Sequence, residues 1–251
     1  MYDLLVNLAI VPGLAFLYYI YTLDKIEKEP PELLMKLVGF GAICCFPAVL
    51  LEFIAGGILD QFLYSGTVEY AFFEALLGVA LMEEGCKLFV LKKLTWTHPK
   101  FNYRFDAILY AVCVSMGFAI LENIMYVLDG GIETAVGRAF TSIPGHGVFA
   151  IFMGIYYGQA KEYLHRMDRK VKDRSLKLAL FIPTVLHGFY DFCLLTEDDM
   201  MVVVFFIFIL ALYAHAFFKV RKMSREDDRI YYLYIFMAGN CCIVQLPAIF
   251  Y

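Results

Sequence analysis

Eight predominantly apolar stretches of about twenty residues follow one another along this chain, at 4–23, 37–59, 68–91, 106–128, 144–162, 176–195, 200–218 and 230–250. At ~1.5 Å of helix rise per residue, each comes close to the ~30 Å thickness of a bilayer's hydrocarbon core. In that medium every backbone N–H and C=O must be satisfied within the protein, so runs of this kind are restricted to helices. Of the 251 residues 61% are hydrophobic and 18% charged, more apolar surface than a water-soluble domain of this size can bury. The expectation is an all-α, polytopic membrane protein forming a single domain, residues 1–251, with eight transmembrane helices. The sequence has no basic patch with interleaved aromatics, so nucleic acid is not an expected partner.

Local punctuation supports these limits. The string Asp24-Lys25-Ile26-Glu27-Lys28-Glu29-Pro30-Pro31 closes the first run, because the residue before a proline is pushed away from helical angles. Pro47 predicts a kink in the second run, and Gly130-Gly131 an end to the fourth. The first run lacks a basic leader and a small-x-small cleavage pattern, and it reads as a retained span. Seven cysteines, an odd number lying almost entirely inside apolar runs without CxxC pairs, argue against a disulfide framework or a thiolate metal site.

Charge fixes the orientation. Of the 21 Lys and Arg residues, all but Lys87 and Arg138 fall in the connections after the first, third, fifth and seventh runs. Positively charged connections stay on the cytoplasmic side, so both termini and the loops around Tyr64, Gly130 and Asp198 are expected outside.

Against this background the ionisable residues inside the runs stand out. The third run carries Glu83-Glu84-Gly85-Cys86-Lys87, where both acids are one helical turn from the lysine. The fourth carries Glu122-Asn123, the fifth opens on Pro144-Gly145-His146, and the sixth holds His187 and Asp191 on one face. A charge at membrane depth costs roughly 2.5–3.5 kcal/mol on insertion scales, and such groups mark functional sites facing protein or water. Taken singly, each has a bland reading as a buried ion pair or interhelical hydrogen bond. Occurring together on four consecutive runs, these carboxylates and imidazoles are the ligand and base types of a hydrolytic metal site. A proton- or ion-coupled transporter and a non-catalytic scaffold are the competing classes, the former lacking the inverted repeat it would be expected to show. Glu52, Glu74, His215 and Asn240 read as packing residues, or substrate contacts at most. Depth sets one tension: counted from Val68, Glu84 lies about 24 Å down its helix, deeper than Glu122, His146 and His187 lie from the outer ends of theirs. A helix start near Ala71 would ease it.

These signatures in order, Glu83-Glu84-x-x-Lys87, Phe118-x-x-x-Glu122-Asn123, Pro144-x-His146 and His187-x-x-x-Asp191, resemble those of the PrsW family of bacterial intramembrane proteases, distant relatives of CAAX prenyl proteases and bacteriocin-processing enzymes. Pro12-Gly13 and the Asp24…Glu29-Pro30 string extend the resemblance over nearly the whole chain. It implies a multi-pass bacterial membrane protease making the first, extracytoplasmic cut in a single-pass, membrane-anchored anti-sigma factor. The wider group includes both metalloproteases and glutamate-dependent proteases, and both readings stand at this stage. On this basis Glu84 is expected as the base for the attacking water with Glu83 as its support, and Lys87 as their counter-charge. Glu122, His146 and His187 are expected as ligands of a divalent metal, zinc by their type. Asp191 would orient His187 or bind the ion, and Asn123 would steady the oxyanion.

Overall fold

The computed structural model describes residues 2–230, together with the backbone of 236–238 and 241–243. Nine α-helices occupy the first part: α1 (Tyr2–Leu23), α2 (Pro31–Ile43), α3 (Cys45–Leu59), α4 (Val68–Phe73), α5 (Leu81–Thr95), α6 (Arg104–Phe140), α7 (Ser142–His165), α8 (Arg169–Leu195) and α9 (Asp199–Arg225), with a π-helix, Glu74–Ala80, joining α4 to α5. Among the described residues, five stretches are long and apolar enough to cross a membrane: Leu4–Leu23, Pro31–Leu59, Arg104–His165, Arg169–Leu195 and Asp199–Arg225. The third of these is 62 residues long and contains both α6 and α7. Most of the run expected at 230–250 lies outside the described residues; within it, β1 (Phe236–Ala238) and β2 (Cys241–Ile243) pair antiparallel.

Both expected interruptions appear. The second run breaks at Cys44, between α2 and α3, three residues before Pro47, whose ring and missing N–H rule out the helical bond to the carbonyl of Ile43. The fourth run ends at Gly130-Gly131, as expected, in a kink that divides α6 into two helical legs. Gly131 takes φ 73° and ψ −154°, and helical structure resumes beyond it as a second leg of α6 reaching Phe140. A backbone turned this way is open to glycine and strained for a residue with a Cβ.

The centre of the bundle is the first leg of α6. Every residue from Phe105 to Ala119 is buried, and α6 packs against α7, α1 and α2, with α8 closing on α7 and on the π-helix. Small residues permit the close crossings: a Cβ on Gly117 would lie 2.0 Å from the carbonyl oxygen of Val38, and one on Gly41 2.1 Å from that of Val114. Between helices in lipid such contact replaces the hydrophobic drive, which is weak there. Gly117→Val is therefore expected to destabilise the detergent-solubilised protein by about 1–3 kcal/mol, since α2 must move to admit it. A thermal melt at or above the wild-type midpoint would contradict this packing. The outer faces of α1, α3 and α9 carry exposed Val11, Leu14, Phe53, Val203, Ile207 and Leu210, a belt suited to acyl chains.

At the end of the bundle where the cation-rich loops gather, polar groups are tied together more tightly than a loop requires. Asp106 accepts from the backbone N–H of Asn102 (3.0 Å) and Tyr103 (2.7 Å), Lys100 and Asn102 donate to Glu27 (2.6 and 3.1 Å), and Tyr110 donates to Glu29 (2.5 Å). Burial pushes Glu29 up to about 7 and its neighbour Asp24 to about 6, so both favour the proton in the folded state. A carboxyl raised above its unfolded value contributes stability that is complete below the unfolded pKa and lost as pH rises through the folded one. Unfolding stability should therefore fall between about pH 4.5 and pH 7, and Glu29→Gln should flatten that slope. An unchanged pH profile in the variant would place the slope elsewhere.

Candidate active site

The π-helix sits immediately before the charged motif. Its i→i+5 bonds wind more residues into each turn than an α-helix does, so the stretch advances less per residue. The helix starts at Val68, where Thr67 caps it by accepting from Tyr70 N–H (3.2 Å), and not near Ala71. Glu84 nevertheless reaches His187, so the two residues stand at one level of the bundle. Gly188 permits this packing, since a Cβ there would lie 2.9 Å from the Leu76 side chain.

Lys87 is the hub. Its Nζ donates to Glu83 Oε2 and Glu84 Oε1, each at 2.8 Å, and meets His146 Nδ1 at 3.1 Å. It also lies 4.2 Å from the centre of the Phe118 ring. All three charged side chains of the motif are at most 4% exposed, and two carboxylates against one ammonium leave a buried net negative charge. An ammonium only donates, so His146 accepts at Nδ1 and carries its proton on Nε2, which donates to Glu122 Oε2 at 3.0 Å. Ser115 fixes the same turn by donating to the backbone carbonyl of His146 (2.9 Å).

His187 stands between two acids, with Nδ1 3.2 Å from Glu84 Oε1 and Nε2 3.3 Å from Asp191 Oδ2. Its ring stacks on Phe149, centroids 4.9 Å apart. A neutral imidazole has one N–H and can satisfy only one of these carboxylates. Asp191 Oδ2 makes no hydrogen bond among the described residues, and this face is open to a proton, on the ring or on the carboxyl, or to a metal ion.

Glu122 is held differently from the way its sequence context suggests. Arg138 donates to it through Nη2 (2.8 Å) and to Asn123 Oδ1 through Nε (2.7 Å). The sequence marks Arg138 only as the one cation in a connection otherwise without them, and the Gly131 turn is what folds it back onto α6. Asn123 is fully buried, and its amide Nδ2 donates to the carbonyl of Ala9 in α1 (3.1 Å). Asn123, expected to steady an oxyanion, is not among the residues lining the cavity over this site, and one of its two amide N–H groups is committed to α1.

A cavity of about 350 Å³ opens over this cluster, lined among others by Glu52, Glu83, Glu122, Arg138, His146, His187 and Asp191. Glu83 forms part of its wall, whereas Glu84 lies behind. Glu52, set aside in the sequence as a packing residue, faces the same space with a buried Oε1 that has no hydrogen-bond partner among the described residues. Glu74 and His215 do not line it.

The donor atoms that converge are those of Glu83, Glu84, His146 and His187, all buried and all within 4.8 Å of one another. Glu122, expected as a ligand, is not among them, because Arg138 and His146 already hold its carboxylate. Two features suit a divalent cation: the imidazole of His187 flanked by acids, and the buried Glu84 Oε2, which has no partner among the described residues. Carboxylate oxygens and imidazole nitrogens are ordinary zinc donors. The contact that an ion would replace is the one between Lys87 and His146.

Comparison with known proteins agrees with this chemistry. The model of the PrsW family intramembrane metalloproteases matches residues 29–216. Protease PrsW of Geobacillus kaustophilus is 34% identical over 218 residues, 87% of this chain and 91% of that protein. Protease PrsW of Halalkalibacterium halodurans is 33% identical over 90% of this chain and 99% of its own length, and that of Bacillus subtilis 33% over 76% and 82%. No solved structure matches. A helical bundle with several spans of membrane length, a buried Glu/His cluster beneath a cavity, and these relatives make one conclusion: the chain belongs to the PrsW family of intramembrane metalloproteases, multi-pass peptidases of the bacterial cell membrane.

Proposed function

We propose that this peptidase hydrolyses one bond of a single-pass, membrane-anchored substrate close to the outer face of the membrane, making the first cut in an anti-sigma factor. In this reading the chain crosses the membrane eight times with both termini outside. The observation that carries the proposal is the convergence of Glu83, Glu84, His146 and His187 from three helices on one point beneath a cavity. The cavity is bordered by Arg138, Thr141 and Leu195, at the connections opposite the cation-rich loops, which supports an outward-facing site.

The roles expected from sequence are redistributed. Glu83, on the cavity wall, is the general base for the attacking water. Its Oε2 accepts from Lys87, and the carboxylate takes the proton from the cavity side. Glu84, His146 and His187 would hold the ion, zinc by ligand type; when bound it supplies a Lewis acid that lowers the pKa of water and polarises the scissile carbonyl. Asp191 orients His187 through Nε2. Arg138 uses Nη2 on Glu122 and Nε on Asn123 and lines the cavity, where its remaining N–H groups would meet the tetrahedral oxyanion. The leaving amine recovers the proton from Glu83.

The test is a reconstituted assay with a tagged single-span substrate, with and without a chelator and with zinc restored. Cleavage that is lost to the chelator and recovered with zinc is expected. Absence of cleavage alongside a proton flux would replace the proposal with a transporter, and cleavage indifferent to the chelator would leave the hydrolysis standing without its metal.

A further inference from the structure

A second cavity, of about 540 Å³, lies between α7 and α9 at the opposite end of the bundle, away from the catalytic cluster. Its lining changes character along the helix axis. At one end stand Arg104 and Arg166, with Glu162 as the one carboxylate among the lining residues, and Lys219 stands between that end and the floor, one turn beyond His215. About 15 Å further into the bundle, ten residues back along α7, the wall is Phe152 and its neighbour Ile155, with the Phe152 ring stacked on His215, centroids 6.0 Å apart.

The charges do not cancel. Glu162 Oε1 accepts from Arg104 Nη2 (2.6 Å) and from Arg166 Nη2 (2.5 Å), so one acid serves two guanidinium groups. Lys219 makes no ion pair among the described residues. Among the lining residues three cations face one carboxylate, and with Arg229, Asp228 and Asp227 beside Arg104 counted, four cations face three carboxylates, a net charge of +1 around the mouth. The cation-rich connections place this mouth at the cytoplasmic boundary of the membrane.

We infer that this cavity binds an anionic phospholipid of the inner leaflet, its phosphate among Arg104, Arg166 and Lys219 and an acyl chain against Phe152 and Ile155. A soluble anion would use the cations and leave the apolar floor without a function, whereas a zwitterionic lipid would use the floor and gain little from the net charge. Basic pockets between helices at the cytoplasmic face are suited to anionic head groups, each nearby cation adding about 1 kcal/mol. Neither the cavity nor its cations touch the Glu/His cluster, so the inference stands apart from the proteolytic mechanism.

The experiment is a thermal melt of the full-length protein in a neutral detergent, with added phosphatidylglycerol, phosphatidylcholine or inorganic phosphate. Native mass spectrometry reads retained lipid in parallel. Phosphatidylglycerol should raise the midpoint by about 5 °C and appear as a retained adduct, with the other two giving little of either. Arg166→Gln combined with Lys219→Gln should remove most of the shift. Should that double variant not fold, Lys219→Glu, at an exposed side chain, carries the same expectation in weaker form. Equal shifts from both lipids, reproduction of the shift by inorganic phosphate, or a full shift in the variants would each overturn the inference.

Discussion

Glu83→Gln is expected to lower the cleavage rate by about 10³-fold or more while leaving the thermal midpoint within a few degrees of wild type. The amide keeps the shape of the carboxylate and its place on the cavity wall but cannot take a proton, and general-base catalysis alone accounts for about 10²–10⁴ in rate. Glu84→Gln is also expected to be slow, for a different reason: Glu84 touches Lys87 and His187 from behind and does not face the cavity. The two variants separate on a pH profile. Removing the base abolishes the rate limb that follows the base's ionisation, whereas weakening its surroundings displaces that limb without abolishing it. If the pH limb disappears in Glu84→Gln and survives in Glu83→Gln, the assignment made from sequence is the right one and the cavity wall is a poor guide.

The second large effect is on stability. Lys87→Met is expected to cost about 3–5 kcal/mol, because it leaves the carboxylates of Glu83 and Glu84 buried without their counter-charge. In a chain of this length that corresponds to roughly 10 °C in the melting midpoint. Neutralising the acids in the same background, with Glu83→Gln and Glu84→Gln added, should recover a substantial part of the loss. Replacing all members of a buried ion cluster removes the unpaired charge that makes the single change so damaging. Failure of the triple variant to exceed the single one would mean that Lys87 acts mainly through packing, including its place over the Phe118 ring.

How much of this was legible in the sequence follows from where the signals are strong. A charge within an apolar run is conspicuous whatever the fold, and Glu83, Glu84, Lys87, Glu122, His146, His187 and Asp191 were all readable for that reason. Their division of labour was not, because it depends on which side chain faces the cavity and which is occupied by a neighbour. Glu122 reads as a free acid until Arg138 is seen to hold it, and Arg138 is brought there by the backbone turn at Gly131. Asn123 reads as an available amide until Ala9 is seen to take one of its N–H groups. Glu52 reads as packing until α3 is seen to border the cavity. The helical runs as far as α9 were visible from hydropathy, and Pro47 announced the break at Cys44; the π-helix at Glu74–Ala80 was not visible, since no residue type announces it.

The central claim is that Glu83 and His187, carried by different helices, act as parts of one hydrolytic centre, and a double-mutant cycle on the cleavage rate tests it most directly. Groups that work as a unit are strongly non-additive, so the Glu83→Gln, His187→Ala double variant should be about as slow as the slower single variant. A double variant whose loss equals the product of the two single losses would mean that the two side chains act independently, and the shared site described here would not exist.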